Sequence, residues 1–173
     1  MTFAIQQLMA EIERLRDAFH GSVYAARNID AALEVTTDDC SLVNLPMGTG
    51  ASTVAGLRRY LAEDVLPCLP TDLTFRRVSR TVDKFRVVDE AVVAFTHDRE
   101  LPWLLPGSPP THRRAEVLAI SVVSFRHSRV NAHRTRSQLS AHRTLWDHSG
   151  MLAQLGLDAP ARTPGDGRSE KLA

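Results

Sequence analysis

Long apolar runs are missing from this chain of 173 residues. The longest, Val117 to Val123, contains Ser121 and falls well short of the ~20 residues that a membrane-crossing helix needs. No membrane partner is therefore expected. Excess charge is missing too. The 21 Lys+Arg oppose 20 Asp+Glu, a formal net charge of +1, so no whole-surface attraction to nucleic acid arises. Cysteine is scarce. Cys40 and Cys68 cannot build a disulfide framework or a four-ligand zinc site, and they fit a reducing cytosol. A single bridge between them stays open. The amino terminus has no basic region, and Gln6, Gln7, Glu11 and Glu13 interrupt its apolar residues, so it does not read as a signal peptide. The final Lys171-Leu172-Ala173 differs from the peroxisomal Ser-Lys-Leu ending. The expected location is cytoplasmic.

Several chemical signatures are also missing. Gly48 and Gly50 have no Lys-Ser/Thr after them, so no phosphate loop is present. Neither cysteine sits in a Gly-x-Cys-x-Gly elbow. No His-x-His or His-x-x-x-His pair stands with carboxylates, so neither a metal nor a cofactor is expected.

What is present reads as one ordinary globular domain. Apolar residues make up 43% and charged residues 24%, enough to bury a sizeable core without staples. Ile5, Met9, Ile12, Leu15, Phe19 and Val23 recur at steps of three or four and predict a helix to about Asn28, with Thr2 as its cap. A short helix from Asp30 to Val35, a strand from Ser41 to Leu45 and a loop from Met47 to Ser52 follow. A third helix, capped near Thr53, carries Val54, Leu57, Leu61 and Val65 on one face and stops at Pro67 and Pro70.

The chain then turns β-rich. Strands are expected over Leu73–Val82 and Phe85–Val88, with Asp89-Glu90 as a turn, and over Ala91–Glu100. Pro102 to Pro110 predicts a stiff, exposed loop. Ala115 to Arg126 is apolar on both faces and predicts a central strand covered on both sides. A last strand ends near Asp147, before a short helix from Ser149 to Leu155. The domain is expected over 1–158 and a disordered tail over 159–173. Helices first and antiparallel strands afterwards give an α+β class. The sheet must curl over the apolar stripe of the first helix, which encloses a pocket.

One repeat stands out. Ala132-His133-Arg134-Thr135 recurs as Ala141-His142-Arg143-Thr144, nine residues later. Nine is odd, so an unbroken strand would turn the two histidines to opposite faces.

These features resemble a known family. The resemblance rests on the element order and on Phe95-Thr96-His97-Asp98, Pro102-Trp103-Leu104-Leu105-Pro106-Gly107, Pro109-Pro110-Thr111 with Arg113, Leu145-Trp146-Asp147, Leu152 and Gln154-Leu155-Gly156-Leu157. It covers roughly Ile5 to Leu157 and points to the SnoaL-like (polyketide cyclase-like) branch of the nuclear-transport-factor-2-like superfamily, closest to an uncharacterised microbial and fungal subgroup. It implies a cone-shaped curved antiparallel sheet covered by N-terminal helices, a cystatin-like α+β barrel. Members usually have a single Lys/Arg-Ile/Val-x-x-His stretch leading into Trp-Asp. Here Trp146-Asp147 follows the second copy, so about nine residues look inserted.

The resemblance also names candidates. Asp147 falls where related cyclases and epoxide hydrolases place a pocket acid or base; the alternative is a helix N-cap. Asp98 and Glu100, two apart, share a strand face, where the epoxide-hydrolase relatives carry an arginine and an aspartate. Pointing inward they would tune Asp147; pointing outward they are solvated acids. Asn44 matches a water-holding amide, but Leu42 stands where the partner tyrosine would be. Tyr24, Trp103 and His142 complete the expected substrate contacts, with Tyr24 alternatively a core residue. The segment from His112 to Asp147 holds seven arginines, but 19 of the 21 basic residues are arginine throughout the chain, so no nucleic-acid partner is expected.

The leading expectation is cofactor-free acid–base chemistry (cyclisation, isomerisation or hydrolysis) on a hydrophobic oxygenated metabolite. The alternatives are a non-catalytic ligand-binding or dimerisation module and an arginine-mediated polyanion binder. A homodimer through the outer sheet face is expected.

Overall fold

The computed structural model describes residues 3–131 and 134–158. Thr2, Ala132, His133 and the expected tail 159–173 lie outside the described residues.

Helix α1 (Phe3–His20) continues into a π-turn at Gly21–Ala25. Its apolar stripe faces the sheet, with Ile12, Phe19 and Val23 buried. Asn28 caps α2 (Ile29–Glu34) by accepting the Ala31 N–H at 3.0 Å. Strand β1 (Thr36–Leu45) begins five residues before the sequence suggested, and the expected loop contains β2 (Thr49–Ser52). Gly50 makes that hairpin possible: its φ is +144°, and a Cβ there would collide with the Leu42 carbonyl. Thr53 caps α3 (Val54–Tyr60), which runs into a second π-turn at Leu61–Val65 and a 3₁₀ turn at Leu66–Cys68.

Strands β3 (Thr74–Val82), β4 (Arg86–Thr96), β5 (Arg114–Asn131) and β6 (Arg134–Trp146) complete the sheet, and α4 (His148–Leu155) closes the described chain. The strand order is β2-β1-β6-β5-β4-β3. The expectation of an all-antiparallel, barrel-like sheet is corrected here. β1 and β6 run parallel, so the six-stranded sheet is mixed and unclosed. Irregular register in the β3–β4, β5–β6 and β1–β6 pairs bends it around α1.

Three other expectations change. Asp89-Glu90 is not a turn. The turn lies at Asp83, whose Oδ1 accepts the N–H groups of Phe85 and Arg86 at 2.6 and 2.7 Å, and β4 runs unbroken through Asp89. β4 also ends at Thr96, held by the Asp72 carboxylate through its N–H and hydroxyl, so Asp98 and Glu100 leave the strand. The Pro-rich loop is exposed only in its second half, because Leu101, Trp103, Leu104 and Leu105 are buried in the core.

The repeat is resolved by pairing. The second copy, Ala141–Thr144, lies between β1 and β5. From Arg126↔Gln138 outward, β5 and β6 pair only with each other, as a two-stranded ribbon beyond the sheet. The extra length becomes ribbon rather than core.

Candidate functional site

On the inner face, one polar row crosses all six strands. Register aligns Arg80 on β3 with Asp89 on β4, Ser121 on β5, Thr144 on β6, Asn44 on β1 and Thr49 on β2. Apolar residues flank the row, including Val87 and Val93 on β4 and Val117 and Val123 on β5, all buried. α1 supplies the roof. Arg16, His20 and Tyr24 are spaced by four, which places them on one helix face.

Between roof and row lies a narrow cleft of about 30 Å³, lined by Arg16, His20, Tyr24, Phe75, Asp89, Ser121, His142, Thr144 and Trp146 among others. Asp89, 2% exposed, is its carboxylate. Arg80 grips Asp89 with Nε at 2.6 Å and Nη2 at 2.9 Å, and it reaches Asp17 at 2.7 and 3.1 Å. Arg16 Nε approaches Asp89 Oδ2 to 2.6 Å, with its N–H off the line of a hydrogen bond, so the contact is one of charge. Two arginines and two aspartates therefore cancel. Arg80, hydrogen-bonded by Asp89, is held above its usual pKa; Arg80 in turn holds Asp17 low; burial lowers Arg16.

The other cleft groups are neutral. Burial and the Arg16 charge pull His142 down to about 3 and His20 to about 4. Burial raises the Tyr24 phenol. His142, 7% exposed, places Nε2 3.3 Å from Thr144 Oγ1, while its Nδ1 has no protein partner. Ser121 Oγ, in a residue 8% exposed, also has none.

Behind Tyr24 lies a smaller chamber of about 10 Å³, lined by Phe19, Val23, Leu42, Leu61, Val65 and Trp103, with Asn44 and Tyr60. Its amide and phenol are paired, while the Trp103 indole N–H is buried without a partner. Asn44 Nδ2 donates to Tyr60 Oη at 3.0 Å and to the Trp103 carbonyl at 3.4 Å, and Asn44 Oδ1 accepts from Trp146 Nε1 at 3.2 Å. Burial pushes the Tyr60 phenol up to about 12.

Of the sequence candidates, Asn44, Tyr24, Trp103 and His142 meet in these chambers. The acids do not join them. Asp147 is exposed and caps α4, its Oδ1 accepting the Gly150 N–H at 2.9 Å. Asp98 pairs with Arg99 at 2.8 and 3.0 Å in the loop after β4, and that guanidinium lowers its pKa; Glu100 is exposed. No convergent carboxylate triad forms, because β4 stops before Asp98 and β6 delivers Asp147 to a helix terminus. Sequence reading missed Asp89, Arg16, Arg80, Ser121 and Thr144. Two signals were available: the four-residue spacing on α1, and the position of Asp89 on the inward parity of Val87, Val93 and Phe95.

Both cysteines are free, and burial raises the Cys40 thiol to about 12. Among the described residues, no group of three His, Cys, Asp or Glu could hold a metal ion, and no helix is long and apolar enough to cross a membrane.

No family model matches the chain, and no curated protein sequence matches it. Solved structures do. A protein assigned as a SnoaL-like polyketide cyclase from Jannaschia sp. CCS1 superposes with a TM-score of 0.63 at 15% identity, covering 92% of this chain and 98% of that one. The chain has the SnoaL-like fold. A ketosteroid isomerase-like fold protein from Catenulispora acidiphila, in complex with trimethylamine, gives a TM-score of 0.57 at 16% identity over 87% of this chain and 97% of its own. TerC, co-crystallised with polyporic acid, gives 0.55 at 14% over 84% and 97%. At these identities the likeness establishes the nuclear-transport-factor-2-like cone and leaves activity to the site.

Proposed function

We propose that this SnoaL-like chain binds a neutral, hydrophobic, oxygenated small molecule in the cleft beneath α1. The observation that carries the reading is the pair Ser121 Oγ and His142 Nδ1. Both are buried, both line the cleft, and neither has a protein partner. Leaving a buried polar group unpaired costs about 1–3 kcal/mol, which a ligand oxygen returns by hydrogen bonding. The walls favour an apolar body. Neutrality follows from the ion cluster: Arg16, Arg80, Asp17 and Asp89 already compensate one another, so a charged ligand would add an unpaired buried charge. Two structural neighbours hold small molecules, trimethylamine and polyporic acid, which supports a binding role for the cone.

A probe of this chemistry is 2-naphthol. Saturable binding is expected, weakened about threefold to tenfold by Ser121→Ala or His142→Leu, the loss of one hydrogen bond. Failure of 2-naphthol and similar neutral aromatic alcohols to bind, or equal affinity in both variants, would contradict the reading.

Cofactor-free acid–base chemistry is the second reading, and Asp89 favours it as the carboxylate lining the cleft. With His142 and His20 held neutral, Asp89 would accept the proton from an oxygenated substrate. Turnover is then expected to fall by roughly 10²-fold or more in Asp89→Asn. A folded Asp89→Asn variant with full turnover removes that carboxylate from the chemistry.

A further inference from the structure

We infer that Arg16 Nε, Ser121 Oγ and His142 Nδ1 form one oxygen-binding site, held by ordered water in the ligand-free protein. In a complex, an uncharged acceptor oxygen of the ligand takes the place of one such water. The water site stands by itself; the exchange rests on the binding reading above and deepens it.

Among the described residues, eight buried side-chain nitrogen and oxygen atoms have no hydrogen-bond partner. Three of them, on Arg16, Ser121 and His142, line the same cleft, and the other five are divided among Thr37, His97, Trp103 and His148. Such a concentration calls for a bound group, because buried polar atoms are otherwise paired. The room matches water. A buried water needs about 10–15 Å³, so a cleft of about 30 Å³ accepts about two. Register matches it as well. Ser121 is paired with Thr144 and Val123 with His142, which makes Ser121 and His142 diagonal neighbours on one face of adjacent strands. Diagonal Cβ atoms lie about 7–8 Å apart. An oxygen about 2.8 Å from each side chain bridges that separation.

Donor chemistry decides what the oxygen must be. An arginine Nε–H can only donate. That of Arg16 is off the line to Asp89 and has no other partner. Ser121 can donate or accept. His142 is neutral, and while its Nε2 meets Thr144 Oγ1 at 3.3 Å, its Nδ1 serves as donor or acceptor according to the tautomer. The bound atom must therefore accept from Arg16 and can give a hydrogen to Ser121 or His142. Water does both, and so does an alcohol or a phenol. A methyl group does neither, and displacing ordered water without replacing its hydrogen bonds weakens binding. An ammonium would set a second positive charge beside Arg16. Arg16 is thus the contact that selects an acceptor oxygen.

A high-resolution crystal structure of the ligand-free protein tests the site. Water density is expected within about 3.2 Å of at least two of the three atoms. An empty cleft, or side chains turned to pair these atoms with other protein groups, overturns it. Oxygen-17 relaxation dispersion asks the same question in solution. The wild type is expected to hold at least one more long-lived water than Ser121→Val, whose methyl groups replace the hydroxyl and fill the space; an equal count overturns the site. If Ser121→Val does not fold, the wild-type crystal structure decides alone. The exchange is read from the preference for 2-naphthol over 2-methylnaphthalene, which is expected to fall about threefold to tenfold in Ser121→Val. An unchanged preference overturns the exchange and leaves the water site standing. Binding of neither compound overturns the binding reading and the exchange together, and again leaves the water site standing.

Discussion

Asp89 has almost no access to water, and its removal leaves Arg16 and Arg80 to share Asp17 alone. Breaking such a buried pair costs about 3–5 kcal/mol. Asp89→Leu is therefore expected to lower unfolding stability by about that amount in urea; a loss below 1 kcal/mol would mean that the ion cluster is solvated. His142 and His20 make a separate prediction. Their folded pKa values, about 3 and about 4, lie below the unfolded value near 6.5. Between those limits the unfolded chain binds more protons, so stability is fully present above pH ~6.5 and declines as the pH falls. The slope is on the order of 1 kcal/mol per pH unit for each ring, and His142→Leu should remove its share. A flat profile from pH 6.5 to 5 would show that the rings are not buried neutral. At this scale the sequence was only partly legible. Asn44, Tyr24, Trp103 and His142 lay on the right faces, but an Asp-Glu pair reads as a turn unless the arginines that bury its first member are known. Those partners come from α1 and β3, far along the chain.

At the scale of elements, the N-terminal helix, the β-rich second half and the terminal helix were readable from apolar spacing and turn residues, while β2 was hidden in what read as a loop. The parallel β1–β6 pair was not readable, because it joins strands about a hundred residues apart and leaves no local pattern. The repeat shows the intermediate case. Its odd spacing signalled an accommodation, and the Trp146-Asp147 junction indicated which copy stays in the sheet. Because the strand pairs beyond Phe125↔Leu139 involve β5 and β6 alone, deleting Val130–Gln138 leaves Arg126–Arg129 as a four-residue hairpin loop, a common length. The deletion removes the contact of His127 with Ser137 and that of Gln138 with the Thr36 carbonyl, so a loss of about 1–2 kcal/mol is expected with the fold intact. Insoluble protein would show that the ribbon supports the core.

At the scale of the whole molecule, the outer sheet face stays open. Leu118, Ile120 and Leu145 are 39%, 38% and 53% exposed, with Ile120 and Leu145 directly paired. The expectation that β5 is covered on both sides is therefore met within one chain only on the inner face. A second copy would cover the outer one. Light scattering at ~10 μM should give a dimer mass, and Ile120→Glu should give a monomer with the cleft unchanged. A wild-type monomer would remove this face as an interface.

The account depends most on the cleft, and within it on His142. The direct measurement is the imidazole ¹⁵N shifts of His142 with and without saturating 2-naphthol. The ring is predicted to stay neutral down to pH 5, and its Nδ1 shift to move on binding while the rings of His97 and His148 stay unchanged. Titration of His142 near pH 6.5, or an Nδ1 shift that ignores the ligand, would contradict the account.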